Sequence, residues 1–137
     1  MTALLLSLAH RYARAAANRA LQEHELDLRH MSVLEYLAVS GPASQRTLVD
    51  ALHLDKSSMV YVVDELESQG LAERNRSQYD RRSYAVRITA AGEERLRAAG
   101  RTAAAVMEEL MTPFSPDERE QLERLLTRFV EHARQRE

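Results

Sequence analysis

At Gly70 the apolar period of the chain changes. Before it, Met59, Val62, Val63 and Leu66 recur at the spacing of one helix face. After it, Tyr84, Val86 and Ile88 alternate with Ala85 and Arg87, the period of a strand. Leu71–Arg74 reads as a first short strand, and Asn75–Arg82 between the two is polar with no apolar anchor. A helix that ends on glycine and runs into two strands joined by a long polar loop predicts an antiparallel hairpin whose tip projects into solvent.

The segments around this transition read as helices. Residues 3–22 are rich in Ala, Leu and Arg, contain no Gly or Pro, and carry an apolar stripe of Leu4, Leu5, Leu8, Tyr12 and Ala15. Polar residues from Gln22 to Asp27 end that helix. Arg29–Ser40 predicts a second helix with Met31, Val33, Leu34 and Leu37 facing inward; Gly41 stops it and Pro42 prevents restart. Ser44 is placed to cap a short helix over Gln45–Leu52, and Asp55 to cap Lys56–Gln69. Thr89 caps a long helix with the stripe Leu96, Ala99, Ala103, Val106 and Leu110, expected to be buried. Ser115-Pro116-Asp117-Glu118 is a capping box with proline at the first helical position, and it opens a last helix.

Two short helices, a longer one and a strand–loop–strand wing make a mainly α chain with a small antiparallel β-hairpin, the order of a winged helix-turn-helix. The expected organisation is an N-terminal dimerisation helix over 1–27, a winged core over 28–92 with its recognition helix near 56–69 and its wing near 71–88, and a long helix plus a C-terminal dimerisation helix over 93–137. Leu4, Leu5 and Leu8 at one end, and Leu122, Leu125, Leu126, Phe129 and Val130 at the other, have no partner left inside so small a core. They are expected to join two copies of the chain.

Composition narrows the function. The chain has 137 residues and no cysteine, which removes disulfides, thiolate metal sites and a cysteine nucleophile together. It also fits a reducing compartment, and a cytoplasmic location is expected. No apolar run approaches the roughly 18 residues of a membrane-spanning helix. The formal charge of −2 excludes a uniformly basic nucleic-acid binder. The charge is segregated, however: residues 72–89 hold five arginines against two acids, whereas residues 102–137 hold five basic side chains against eight acids.

Ser57, Ser58 and Tyr61 share the early turns of the proposed recognition helix on the face opposite Met59 and Val63. There hydroxyls serve donor or acceptor base edges, and a tyrosine ring packs on a thymine methyl or a sugar. Lys56 at the helix start, with Gln45 and Arg46 at the start of the preceding helix, suits phosphates. Arg74, Arg76, Arg81 and Arg82 crowd one hairpin tip, where they repel one another unless an anion collects there; a narrow minor groove of double-stranded DNA is such a place. Asp80 reads as an intrachain partner that directs Arg82 or Arg74.

Asp80-Arg81-Arg82, followed by Val86-Arg87-Ile88-Thr89-Ala90-Ala91-Gly92, resembles the Asp-x-Arg wing and the Leu-Thr-x-x-Gly helix start of MarR-family regulators. The run from Met59 to Arg74 is similar to the recognition helix and first wing strand of that family, and Leu28–Leu37 and Ser44–Leu48 also fit. Ile88 stands where leucine is usual. The resemblance implies a homodimeric winged-helix repressor or activator that binds a pseudo-palindrome and is released by small phenolic or anionic ligands. It assigns Asp80 and Arg82 to the paired wing positions and Arg81 to the variable middle one.

A peroxide-sensing cysteine is absent. His10, His24, His30, His53 and His132 are scattered without ligand spacing, so no metal and no cofactor is expected. An effector pocket is expected where the first, second and fifth helices meet. His10, Arg11, Tyr12 and His30 are its candidate lining, suited to a small aromatic or anionic ligand. There is no Gly-rich phosphate loop and no nucleophile–base context, so an enzyme is not expected. The alternative is a winged-helix protein–protein module without DNA binding, which a neutral wing and an apolar recognition face would mark.

Overall fold

The computed structural model describes residues 1–76 and 84–137; Asp80, Arg81 and Arg82 lie outside the described residues. The element order is α1 (Thr2–Leu21), a 3-10 turn (Gln22–His24), α2 (Leu28–Ser40), α3 (Gln45–Leu52), α4 (Lys56–Ser68), β1 (Ala72–Arg76), β2 (Tyr84–Ile88), α5 (Ala90–Leu110) and α6 (Pro116–Arg134).

Side chains at the helix starts set these boundaries by accepting backbone N–H groups that a helix leaves unpaired. Asp27 accepts from the N–H groups of Arg29 and His30, Ser44 from Thr47, Asp55 from Ser58, Thr89 from Gly92 and Ser115 from Glu118. At the other end of α4, Gly70 has a φ of 74°, and only there does the chain turn sharply enough for Leu71 N–H to reach back to Leu66 O.

The two strands pair antiparallel from Ala72↔Ile88 to Arg76↔Tyr84. The first strand therefore runs further than the expected Leu71–Arg74 and takes in Asn75 and Arg76, which the sequence assigned to the loop. Ala43 adds an isolated bridge on the other edge of β2: its N–H donates to Val86 O at 3.0 Å, and Val86 N–H donates back at 2.7 Å. The wing is thus fastened to the α2–α3 connection.

Inside, Val33, Leu34, Leu37, Leu48, Met59, Val62, Val63, Leu66, Leu71 and Val86 form a dry core. The four α4 residues of that set are wholly buried, each contributing about 1.5–3 kcal/mol by burial. They fix which face of α4 points outward. Leu21 and Leu26, flanking the 3-10 turn, close the core from the α1 side. Along α5 burial fades: Ala99 is buried, Leu96, Ala103 and Val106 are half-buried, and Leu110 is exposed, against the expectation of a buried stripe through residue 110. The helix has by then passed beyond the winged core, and no other described element covers its end.

Candidate nucleic-acid interface

The outward face of α4 is built from its cap. Asp55 Oδ1 accepts from Ser58 N–H at 2.8 Å and from Ser57 Oγ at 2.8 Å, while Oδ2 accepts from Ser58 Oγ at 2.9 Å. These bonds, the Ser58 N–H first and the two hydroxyls after it, hold the Asp55 carboxyl at about 2. Both serines therefore spend their only hydroxyl proton on the cap. Ser57 and Ser58 keep acceptor lone pairs toward a ligand and not the dual role expected of them.

Two flanks of α4 differ in chemistry. On the α3 side, Gln45, Arg46, Val49 and Lys56 line a cleft of about 370 Å³, and of these Arg46 and Lys56 are exposed. Val60 continues this flank four residues on from Lys56 and is exposed, an apolar side chain on an otherwise polar face. Sequence reading missed it because Val60 sits between core positions; its phase, one residue after Met59 and two before Val62, was the available signal. On the other flank Tyr61 is exposed beneath the Arg29 guanidinium, which lies 5.8 Å from its ring centre. Glu65, one turn on, is turned toward α2 and bonded to His30.

Arg74 is not a projecting wing cation. Its Nε donates to Gln45 Oε1 at 3.0 Å, Nη1 to Glu67 at 2.9 Å and Nη2 to Asp64 at 2.6 Å. It locks β1 to α3 and α4 and neutralises acids that would otherwise face a bound anion. Arg76 lies 5.7 Å from the centre of the Tyr84 ring across the hairpin, and Arg87 pairs with Glu73. Among the described wing arginines, Arg74 and Arg87 are thus paired with acids.

The comparisons with known proteins agree with this architecture. The MarR family profile matches residues 24–83. The HTH-type transcriptional regulator MhqR of Bacillus subtilis is 31% identical over 132 residues, which is 96% of this chain and 91% of that protein. The chain belongs to the MarR family. Wild-type MarR of E. coli in its apo form superposes with a TM-score of 0.85 at 20% identity, over 95% of this chain and 97% of that one. BpsR of Bordetella bronchiseptica, whose DNA binding is regulated by 6-hydroxynicotinic acid, superposes with a TM-score of 0.79 at 22% identity, over 95% and 93%.

MarR-family regulators bind DNA and act as dimers. In the protomer, Leu4 and Leu5 of α1 are exposed and Leu8 half-buried, while on α6 Leu122 is half-buried and Leu125, Leu126, Phe129 and Val130 are exposed. The α6 helix buries no residue in the protomer; Arg119 ties it to the end of α5 through Met111 O at 3.1 Å and Glu108 at 2.7 Å. Met107, Leu110 and Phe114, at and beyond the end of α5, are exposed as well.

The four candidate effector residues do not meet within the protomer. His10, Arg11 and Tyr12 are exposed on α1, with the Arg11 guanidinium 6.0 Å from the Tyr12 ring. His30 is only 4% exposed and fully engaged: its Nδ1 accepts from Asp27 N–H at 2.9 Å, and its Nε2 lies 2.9 Å from Glu65 Oε1. Both ring nitrogens are used, and the carboxylates of Asp27 and Glu65 flank the ring, a setting that repels an anionic ligand.

Proposed function

We propose that the chain is a ligand-responsive transcriptional repressor that binds a pseudo-palindromic DNA operator as a homodimer. One observation carries this reading: the open face of α4 is bordered by the exposed Arg46 and Lys56, which line the cleft between α3 and α4 with Gln45 and Val49. In the major groove, Tyr61 and the serine oxygens of Ser57 and Ser58 meet base edges, while Gln45, Arg46 and Lys56 meet phosphates. Arg76, Arg81 and Arg82 reach the adjoining minor groove, with Asp80 directing Arg82.

The uncovered apolar stripes of α1 and α6 join two protomers and place two recognition helices about 34–36 Å apart, one turn of DNA. The effector is a small aromatic or anionic compound, a class supported by the acid that regulates DNA binding of BpsR, and its seat is the junction of α1, α2 and α5. The site of action is the cytoplasm. Gel shifts at several salt concentrations test the wing assignment. Arg82→Ala should weaken specific binding by about 1–3 kcal/mol, and wild-type affinity should fall steeply with salt. An Arg82→Ala variant equal to wild type at every salt concentration would remove the wing from the interface.

A further inference from the structure

The start of α2 grips the recognition helix at two places on its outward side. His30, buried among the core residues of α2 and α4, uses its two ring nitrogens in opposite directions. Because Nδ1 accepts from the Asp27 N–H at 2.9 Å, the ring proton sits on Nε2 and is donated to Glu65 at 2.9 Å. The neighbouring Arg29 is itself held: its Nη2 donates to Asp27 Oδ2 at 2.8 Å and its N–H to Asp27 Oδ1 at 2.8 Å. Its guanidinium then lies over the Tyr61 ring, one helical turn before Glu65. Burial alone would raise the Asp27 carboxyl, but the hydrogen bonds and charge of Arg29 bring it below its ordinary value, so the anchor stays charged. The whole group is fixed to α1 as well, since Leu28 N–H donates to Asn18 Oδ1 at 2.8 Å.

The apolar contacts of Met59, Val62, Val63 and Leu66 are not directional and leave α4 slack to roll about its axis; Arg74 restrains that roll at Asp64 and Glu67, on the wing side, and the start of α2 restrains it at Tyr61 and Glu65. A roll of α4 carries Tyr61 across a base pair without unfolding anything. Hydrogen bonds and a stacked cation resist that roll because they depend on direction. We infer that His30 and Arg29 are positioning residues that set the roll of α4 and the plane of the Tyr61 ring, and so determine which base pairs the protein selects. The inference rests on the DNA-binding reading above and goes beyond it by assigning sequence selectivity to two residues of α2 that do not lie on the recognition helix.

The test uses the full-length chain, the duplex it selects from a random pool and a set of single-base-pair variants of that duplex. Dissociation constants for wild type, His30→Leu, His30→Gln and Arg29→Ala give the ratio between each variant duplex and the selected one; thermal unfolding is followed in parallel. His30→Leu should lower the ratios roughly tenfold at the base pairs that Tyr61→Ala also relaxes. His30→Gln, which keeps an N–H donor near the Nε2 position, should stay within about twofold of wild type. Arg29→Ala, a surface change that spares the core, should lower the same ratios. A His30→Leu variant with wild-type ratios overturns the inference, as does one whose unfolding temperature falls while the ratios hold. Equal loss in the Leu and Gln variants overturns it too. A wild-type chain that discriminates while all variants match it removes this inference alone, whereas a wild-type chain that binds no duplex overturns the DNA-binding reading beneath it as well.

Discussion

Gly92 and Gly100 lie two turns apart on α5, yet alanine should act oppositely at the two. A Cβ built at Gly92 falls 2.0 Å from the Leu71 carbonyl oxygen and 2.8 Å from Ile88 Cγ1, whereas at Gly100 nothing lies within 4 Å. Real Cβ atoms essentially never approach closer than 3.0 Å, so Leu71 has to withdraw by about 1 Å. That carbonyl accepts Thr89 N–H at 3.1 Å and thereby joins the entry of β1 to the cap of α5. Overpacking costs about 1–3 kcal/mol and a weakened hydrogen bond about 0.5–1.5 kcal/mol. The helix-propensity gain from Gly to Ala returns about 1 kcal/mol at most. Gly92→Ala should therefore be destabilised by about 1–3 kcal/mol, a fall in Tm of roughly 3–10 °C, and should bind DNA more weakly because the wing root moves. Gly100→Ala keeps only the propensity gain and should melt at or slightly above wild type. Thermal unfolding at one fixed protein concentration decides it, since association shifts Tm. A Gly92→Ala protein as stable as Gly100→Ala would refute the close-approach argument.

Arg74→Ala uncovers Asp64 and Glu67 beside the binding face and should weaken duplex affinity roughly tenfold for all sequences alike; unchanged affinity in anisotropy titrations would show that the ion pairs do not matter to binding. Asp55 has its folded pKa depressed from 3.8 to about 2, so its cap stabilises α4 at any pH above about 4 and is lost as the pH falls through 2. The Ser58 amide proton should shift with a midpoint near 2, and a midpoint near 4 would contradict the capping geometry. Tyr61→Ala should relax base preference more than it lowers overall affinity, which competition between related duplexes reads directly. Removing residues 115–137 should leave a monomer or aggregate unable to bind a palindrome; a truncated chain that stays dimeric in light scattering and still binds would refute the proposed role of α6.

Caps and periods made most of the fold legible. Ser44, Asp55, Thr89 and Ser115 each start the helix the sequence assigned to them, and α3 and β2 have the expected bounds. These signals are local, so they survive without tertiary information. What stayed hidden depends on contacts distant in sequence. Arg74 read as one of a crowd of loop arginines because its acids, Asp64 and Glu67, sit a turn or more back on α4 and its Gln45 lies on another helix. The bridge between Ala43 and Val86 pairs residues on either side of the whole motif. His30 looked like a ligand group beside apolar neighbours, although Asp27 three residues earlier had the spacing of a capping box and offered the structural alternative. Leu110 followed the period of α5 correctly, but a period says which face a residue takes and not whether anything covers it.

The central claim is that two recognition helices read one duplex in sequence. Sequencing the duplexes that the full-length chain retains from a random pool tests it most directly. The account predicts enrichment of a pseudo-palindrome whose half-site centres lie one helical turn, about 10 base pairs, apart. Retained duplexes with no common sequence, or with a single unrepeated half-site, would contradict it.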